Sequence, residues 1–175
     1  MTKESPFSRP VKVDALPREG LRQSLQATPA ERAALARQFG LVAIAELNAS
    51  FLVKRAGREV RVSGAVHAEV TQTCVVTLEP FPVELDEPVD VRFAPPIAQR
   101  PEARGEIETL SLDNEDPPDP IVDGKIDLGA LAAEFLALGL DPYPRKPGAE
   151  FTASPEAASP QSPFAALAEM AKKKD

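Results

Sequence analysis

The chain has 175 residues, 43% of them hydrophobic and 27% charged, with nineteen prolines, no tryptophan and one cysteine, a composition for one domain with appendages. It contains no run of roughly 18–20 apolar residues that could span a membrane, no cysteine pair for a disulfide framework, and an opening, MTKESPFSRPVKV, without the apolar core of a secretory signal, so a cytoplasmic protein without a membrane partner is expected. The formal charge of −7 divides into +5 over residues 1–61, −13 over 62–141 and +1 over 142–175; that balance excludes a general nucleic-acid coat, although the basic part could meet RNA and the acidic part a basic protein.

Residues 7–16 and 20–27 carry enough apolar side chains for two short strands. TPAE at 28–31 is a capping box: Thr28 accepts from the free donors of the first turn, Pro29 suits the first helical position and Glu31 reaches back. The helix it opens is expected to run to about Gln38, with Gly40 near its end and Leu35 and Phe39 on its inner face.

Over 41–55 the odd positions from Leu41 to Val53 are all apolar, and after Ala56-Gly57 the pattern resumes on the even positions Val60, Val62, Val66, Ala68 and Val70. Period two predicts two strands with one buried face. A two-residue turn at 56–57 pairs Val53 with Val60, Phe51 with Val62 and Leu47 with Val66, and on the other face Lys54 with Glu59 and Glu46 with His67. Residues 75–79 and 82–93 continue as extended structure. The predicted class is α+β: an antiparallel sheet built round the 41–55/58–72 hairpin, packed by the 29–39 helix and by a second helix near 128–139.

Between Pro95 and Val122 the chain is acidic and rich in proline, with DNEDPPDP at 113–120, and is expected to be a mobile loop. Asp127 then caps a helix over 128–139 whose stripe is Leu128, Leu131, Phe135 and Leu138, widened by Ala132 and Leu136. Residues 152–161 read as linker, and SPFAALAEMAKKK at 162–174 as a short amphipathic helix. The expected organisation is a domain over 1–151 followed by a flexible 152–175 tail.

The single His67 and single Cys74 are the first candidates for chemistry. Their odd spacing on a predicted strand sends them to opposite faces, which leaves His67 a surface histidine beside a carboxylate and Cys74 a small buried hydrophobe. Two Cys/His residues cannot make a four-ligand structural zinc site. The acidic loop is a poor place to raise a carboxylate pKa, and neither a phosphate-cradling glycine loop nor a nucleophile elbow is present. No catalytic residue, metal, cofactor or small-molecule substrate is expected.

Surfaces remain. Lys54, Arg55, Arg58 and Arg61 gather round the hairpin tip, where they could grip phosphates or act as a charged, non-sticky loop. The 128–139 helix has more apolar girth than one sheet face covers. It runs into DPYPRKPG at 141–148. Pro142 disfavours helical geometry at Asp141, while Pro144 and Pro147 stiffen the exit and present Tyr143, Arg145 and Lys146 at low entropic cost. Two readings stand for this block: a partner contact, or a seal on the end of the core.

TCVVTLEPF at 73–81 and IDLGALAAEFLALGLDPYPRKPG at 126–148 resemble the signature blocks of the YceD-type proteins, a domain of unknown function named for accumulation of large-subunit (23S) ribosomal RNA, most closely their alphaproteobacterial branch. The resemblance covers most of residues 5–151, weakly at first. It rests on Cys74, Val76, Thr77, Leu78, Glu79, Asp127, Leu128, Asp141, Pro142, Pro144, Pro147 and Gly148. It implies a non-enzymatic role in bacterial ribosome biogenesis, with ribosomal RNA or a large-subunit ribosomal protein as partner and no catalytic residues. Many relatives carry C-x-x-C where this chain has Cys74-Val75-Val76-Thr77, so a metal or redox role imagined for them does not transfer. The alternatives are an RNA-processing hydrolase and a cytosolic adaptor unrelated to ribosomes.

Overall fold

A computed structural model of the chain describes residues 5–95 and 117–151. The expectations for the central part of the acidic loop and for the 152–175 tail, including the domain division at 151, lie outside the described residues. The elements are β1 (Pro10–Lys12), β2 (Leu21–Gln26), α1 (Pro29–Phe39), β3 (Ala43–Ala56), β4 (Glu59–Thr73), β5 (Pro80–Ala94), β6 (Asp119–Pro120), β7 (Lys125–Asp127) and α2 (Leu128–Gly139). They form an α+β fold. A five-stranded sheet has the order β2-β3-β4-β5-β6, antiparallel apart from the short parallel β5–β6 pairing, and β1 pairs with β7 in a separate ribbon.

The β3–β4 hairpin is built as its period-two pattern requires, with Phe51 and Val62 both buried on one face. Its register differs from the expected one by two residues: Val53 pairs with Val62, Phe51 with Gly64 and Ala49 with Val66. The turn consists of Gly57 and Arg58, because Gly57 takes the left-handed φ of 66° at the first turn position, where the expected turn would have put Ala56. A two-residue slip keeps every side chain on its face, so the apolar pattern is satisfied while the polar pairs change. Lys54 stands opposite Arg61, Glu46 opposite Glu69, and His67 opposite Asn48.

A bulge between Ile44 and Glu46 reverses the parity at the start of β3: Ile44 is buried, and Ala43 and Ala45 are exposed. The expected strand over 7–16 is shorter too, since only Pro10–Lys12 pairs before a 3-10 turn at Val13–Ala15.

Both helices cover the buried face of the sheet, whose centre is Leu35, Leu47, Val53, Val62, Leu128 and Leu136. The capping box of α1 forms as expected, with the Thr28 side chain accepting from the Glu31 N–H and the Glu31 carboxylate from the Thr28 N–H. Asp127 caps α2, accepting from the N–H groups of Gly129 and Ala130. Gly129 lets α2 approach the N-terminal segment closely, since a Cβ there would stand 2.8 Å from the Phe7 carbonyl oxygen. The α2 stripe is rotated from expectation. Leu128, Leu131, Ala132, Ala133 and Leu136 are buried, while Leu138 is 70% exposed. The helix therefore buries an i, i+3, i+4 face that includes small residues, and Leu138 lies outside it.

Candidate functional site

The site grows from two turns far apart in sequence. β4 ends at Thr73, and residues 74–79 turn instead of continuing the strand. Leu78 N–H donates to the Cys74 carbonyl and Cys74 N–H to the Glu79 carbonyl, each at 2.9 Å. Leu78 pays for this closure with a left-handed φ of 60°, uncommon for a residue other than glycine, and its side chain is 76% exposed.

At the heart of the turn, the Cys74 sulfur accepts from the N–H groups of Val76 at 3.4 Å and Thr77 at 3.5 Å. The Thr77 side chain and N–H, joined by the backbone of Lys146, hold the thiol down at about 6 against desolvation. Cys74 is wholly buried, as expected. It is more than an apolar filler, because its sulfur is the acceptor round which the turn is organised. Without solvent access it cannot attack an external substrate.

The second turn follows α2. Leu140 is already extended, and the Asp141 carboxylate accepts from the Tyr143 N–H at 2.8 Å. Pro147 and Gly148 occupy the corner of a type II turn closed by Ala149 N–H donating to the Lys146 carbonyl at 3.0 Å, with Gly148 at the positive φ of 76° that this turn needs.

These two turns meet. Val75 N–H donates to the Pro144 carbonyl at 2.9 Å, the Gln72 side-chain amide to the Asp141 carbonyl at 3.1 Å, and Lys146 Nζ lies 2.9 Å from Glu79 Oε2. The Glu79–Lys146 pair lowers the carboxyl and raises the amine relative to their ordinary values, through the hydrogen bond first and charge second. One backbone bond, one side-chain amide and one ion pair thus lock the two blocks together. Their outer surface carries Val75, Leu78 and Tyr143, the last 72% exposed, together with the exposed Arg145. A tyrosine that exposed is not a core seal.

Of the expected contact residues, Tyr143, Arg145 and Lys146 come together here. The hairpin group does not form one cluster. Arg61 is drawn to the body of the sheet by a two-point pair with Asp90, and Arg55 turns to the Val13 carbonyl. Lys54 and Arg58 remain exposed toward the tip. His67 does lie near Glu46, with ligand atoms of the two within 4.8 Å, but it is Asn48 that stands directly opposite it, and its Nδ1 lies 2.9 Å from Asp86 on β5, a pairing that depends on the β4–β5 register. Sequence reading missed Glu79 as the partner of Lys146 and Gln72 as a tie to the helix end. Neither has a local signal, since each depends on how two distant turns pack.

The fold and the joined turns define an α+β protein whose distinctive feature is a pair of interlocked motif blocks on one surface. The family model described as large ribosomal RNA subunit accumulation protein YceD matches residues 62–171, more than half of the chain, and the chain belongs to that family. The matched span contains both interlocked blocks and begins later than the resemblance first read from residue 5. No curated protein and no solved structure matches the chain. The family's name ties the chain to a ribosome-related role. No helix among the described residues is long and apolar enough to cross a membrane.

Proposed function

We propose that the protein is a non-enzymatic, cytoplasmic factor that supports large-subunit ribosomal RNA accumulation by binding ribosomal RNA or a large-subunit ribosomal protein, and that the interlocked surface is the contact. One observation carries this reading: Val75 N–H on the Pro144 carbonyl fixes two motif blocks as one rigid surface, so Tyr143, Arg145 and Lys146 are presented with little left to order on binding. An exposed tyrosine beside an arginine, with Lys146 next to them in its pair with Glu79, offers a stacking face and positive charge, the combination that suits unpaired RNA bases and their phosphates. Lys54 and Arg58 at the hairpin tip are a secondary contact in this reading. Assignment to the alphaproteobacterial branch rests on the likeness of the two blocks.

The test is sedimentation of cell extract containing the tagged full chain. Co-migration with precursors of the large ribosomal subunit, lost in Tyr143→Ala, supports the reading. Migration away from ribosomal particles would favour an adaptor. Cleavage of ribosomal RNA by the purified chain, with or without divalent metal, would favour a hydrolase.

A further inference from the structure

The sheet buries one face and leaves the other open, and that open face carries a group of side chains which the proposed binding surface does not use. Two adjacent cross-strand rows stand there. In one, Glu46 of β3 faces Glu69 of β4, which faces Glu84 of β5; in the next, Asn48 faces His67, which faces Asp86. Directly opposed like charges destabilise a sheet, and three glutamates in one row are a standing repulsion with no cation from the protein between them in register.

We propose that Glu46, His67 and Glu69 bind a divalent cation of the zinc class. One ligand atom from each lies within 4.8 Å of the other two. Ligands of a tetrahedral zinc stand about 3.3 Å apart at bond lengths near 2 Å, so side-chain rotation alone closes the site. The donor set is one imidazole and two carboxylates, a set zinc accepts with a fourth position left to solvent. Two neighbours already hold the ligands from behind. Asp86 engages His67 Nδ1 at 2.9 Å, which leaves Nε2 as the free ring nitrogen, and Asn48 donates to Glu46. Carboxylates and amides in such supporting positions orient metal ligands and fix the histidine tautomer. The β3 bulge falls immediately before Glu46, and bulges re-aim the side chains beside them. His67 and Asn48 also line, with Ser50 and Ala65, a shallow depression of about 520 Å³ beside the group. The inference is independent of the ribosomal reading.

The test is titration of the full chain, freed of metal, with zinc followed by calorimetry and with cobalt followed by its visible absorption. Saturable one-to-one binding is expected, with a cobalt spectrum of oxygen and nitrogen ligands. Glu46→Gln/Glu69→Gln and His67→Gln should each abolish it, and Asp86→Asn should weaken it 10–100-fold. Cys74→Ala should leave it unchanged. The double glutamate variant should melt higher than the wild type without metal, because the repulsion is gone, and should lose the rise in melting temperature that zinc gives the wild type; this readout separates site loss from misfolding. A dissociation constant weaker than about 1 mM, binding that survives in the double variant, or binding that vanishes in Cys74→Ala would each overturn the proposal.

Discussion

The N–H of Val75 donates to the carbonyl of Pro144 across 2.9 Å, and this bond joins two segments whose exposed side chains include Tyr143, Arg145 and Leu78. At Val75 the join is made by backbone, so Tyr143 and Arg145 can be altered without undoing it, whereas Lys146 adds a side-chain tie of its own through Glu79.

Replacement of both Arg145 and Lys146 by alanine should lower the melting temperature only slightly, because the tie it removes is the exposed Lys146–Glu79 pair. If they contact RNA phosphates, association with large-subunit precursors should weaken, and the dependence of log K on log salt should become shallower by about 1–2. A salt series of binding measurements on the purified protein and precursor RNA decides this. An unaltered slope would remove these two cations from the contact.

Cys74 links a buried thiol to pH. Its hydrogen bonds to Thr77, and then to the Lys146 backbone and Val76 N–H, hold it at about 6, well below its ordinary value near 9. A group whose folded pKa is depressed contributes stability that is present above the unfolded pKa and lost as pH falls through the folded one. Stability should rise between pH 6 and 9 in the wild type, and this component should be missing in Cys74→Ala. Thiolate absorption in the ultraviolet should titrate near pH 6, while alkylation of the native protein should stay slow because the sulfur is buried. Rapid alkylation of the folded chain would contradict the assigned burial.

The two leucines of α2 make a paired control. Leu136 is fully buried and Leu138 is 70% exposed. Leu136→Ala should cost about 2–5 kcal/mol through lost transfer energy and a residual cavity, whereas Leu138→Ala should change stability by about 0.5 kcal/mol or less. Urea unfolding of both variants checks the rotation of the stripe. Equal losses would restore the stripe read from the sequence.

How far the sequence led depends on the range of each signal. The capping box at Thr28–Glu31, the Asp127 cap and the 128–139 span were legible because they are fixed within a few neighbouring residues. The faces of β3 and β4 were legible because parity is a period-two property. Their register was not, since Val53 can face Val60 or Val62 without moving an apolar side chain to the wrong side, and only Gly57's left-handed backbone chooses. The motif blocks could be quoted from the sequence, but their meeting through Val75–Pro144 and Glu79–Lys146 could not. Of the Glu46–His67–Glu69 group, the nearness of Glu46 and His67 was legible because parity puts both on the open face, whereas Glu69 directly opposite Glu46 was not, because that row depends on the register that was missed by two.

Glu31 provides the last prediction. Its carboxylate makes a two-point pair with Arg9, at 2.8 and 3.1 Å, while closing the capping box on Thr28. Arg9 in turn donates its backbone N–H to Asp127 Oδ1 at 2.7 Å, so this one carboxylate ties the start of α1 to the cap of α2. The hydrogen bond to Arg9 is the main cause holding the Glu31 carboxyl at about 2, with Thr28 and the Arg9 charge adding to it against desolvation. A depressed carboxyl contributes fully above its ordinary value of 4.5 and loses that contribution as pH falls toward 2. With Arg9 partly open to solvent, screening leaves about 1–2 kcal/mol at neutral pH. Glu31→Gln should be less stable than the wild type by that amount at pH 7 in low salt, and the gap should close progressively from pH 5 down to pH 2. Denaturant unfolding of both proteins across this range measures it directly. A gap that stays constant with pH would mean that the glutamine loses shape or capping geometry rather than charge, and the tie between the helix starts would then rest on packing alone.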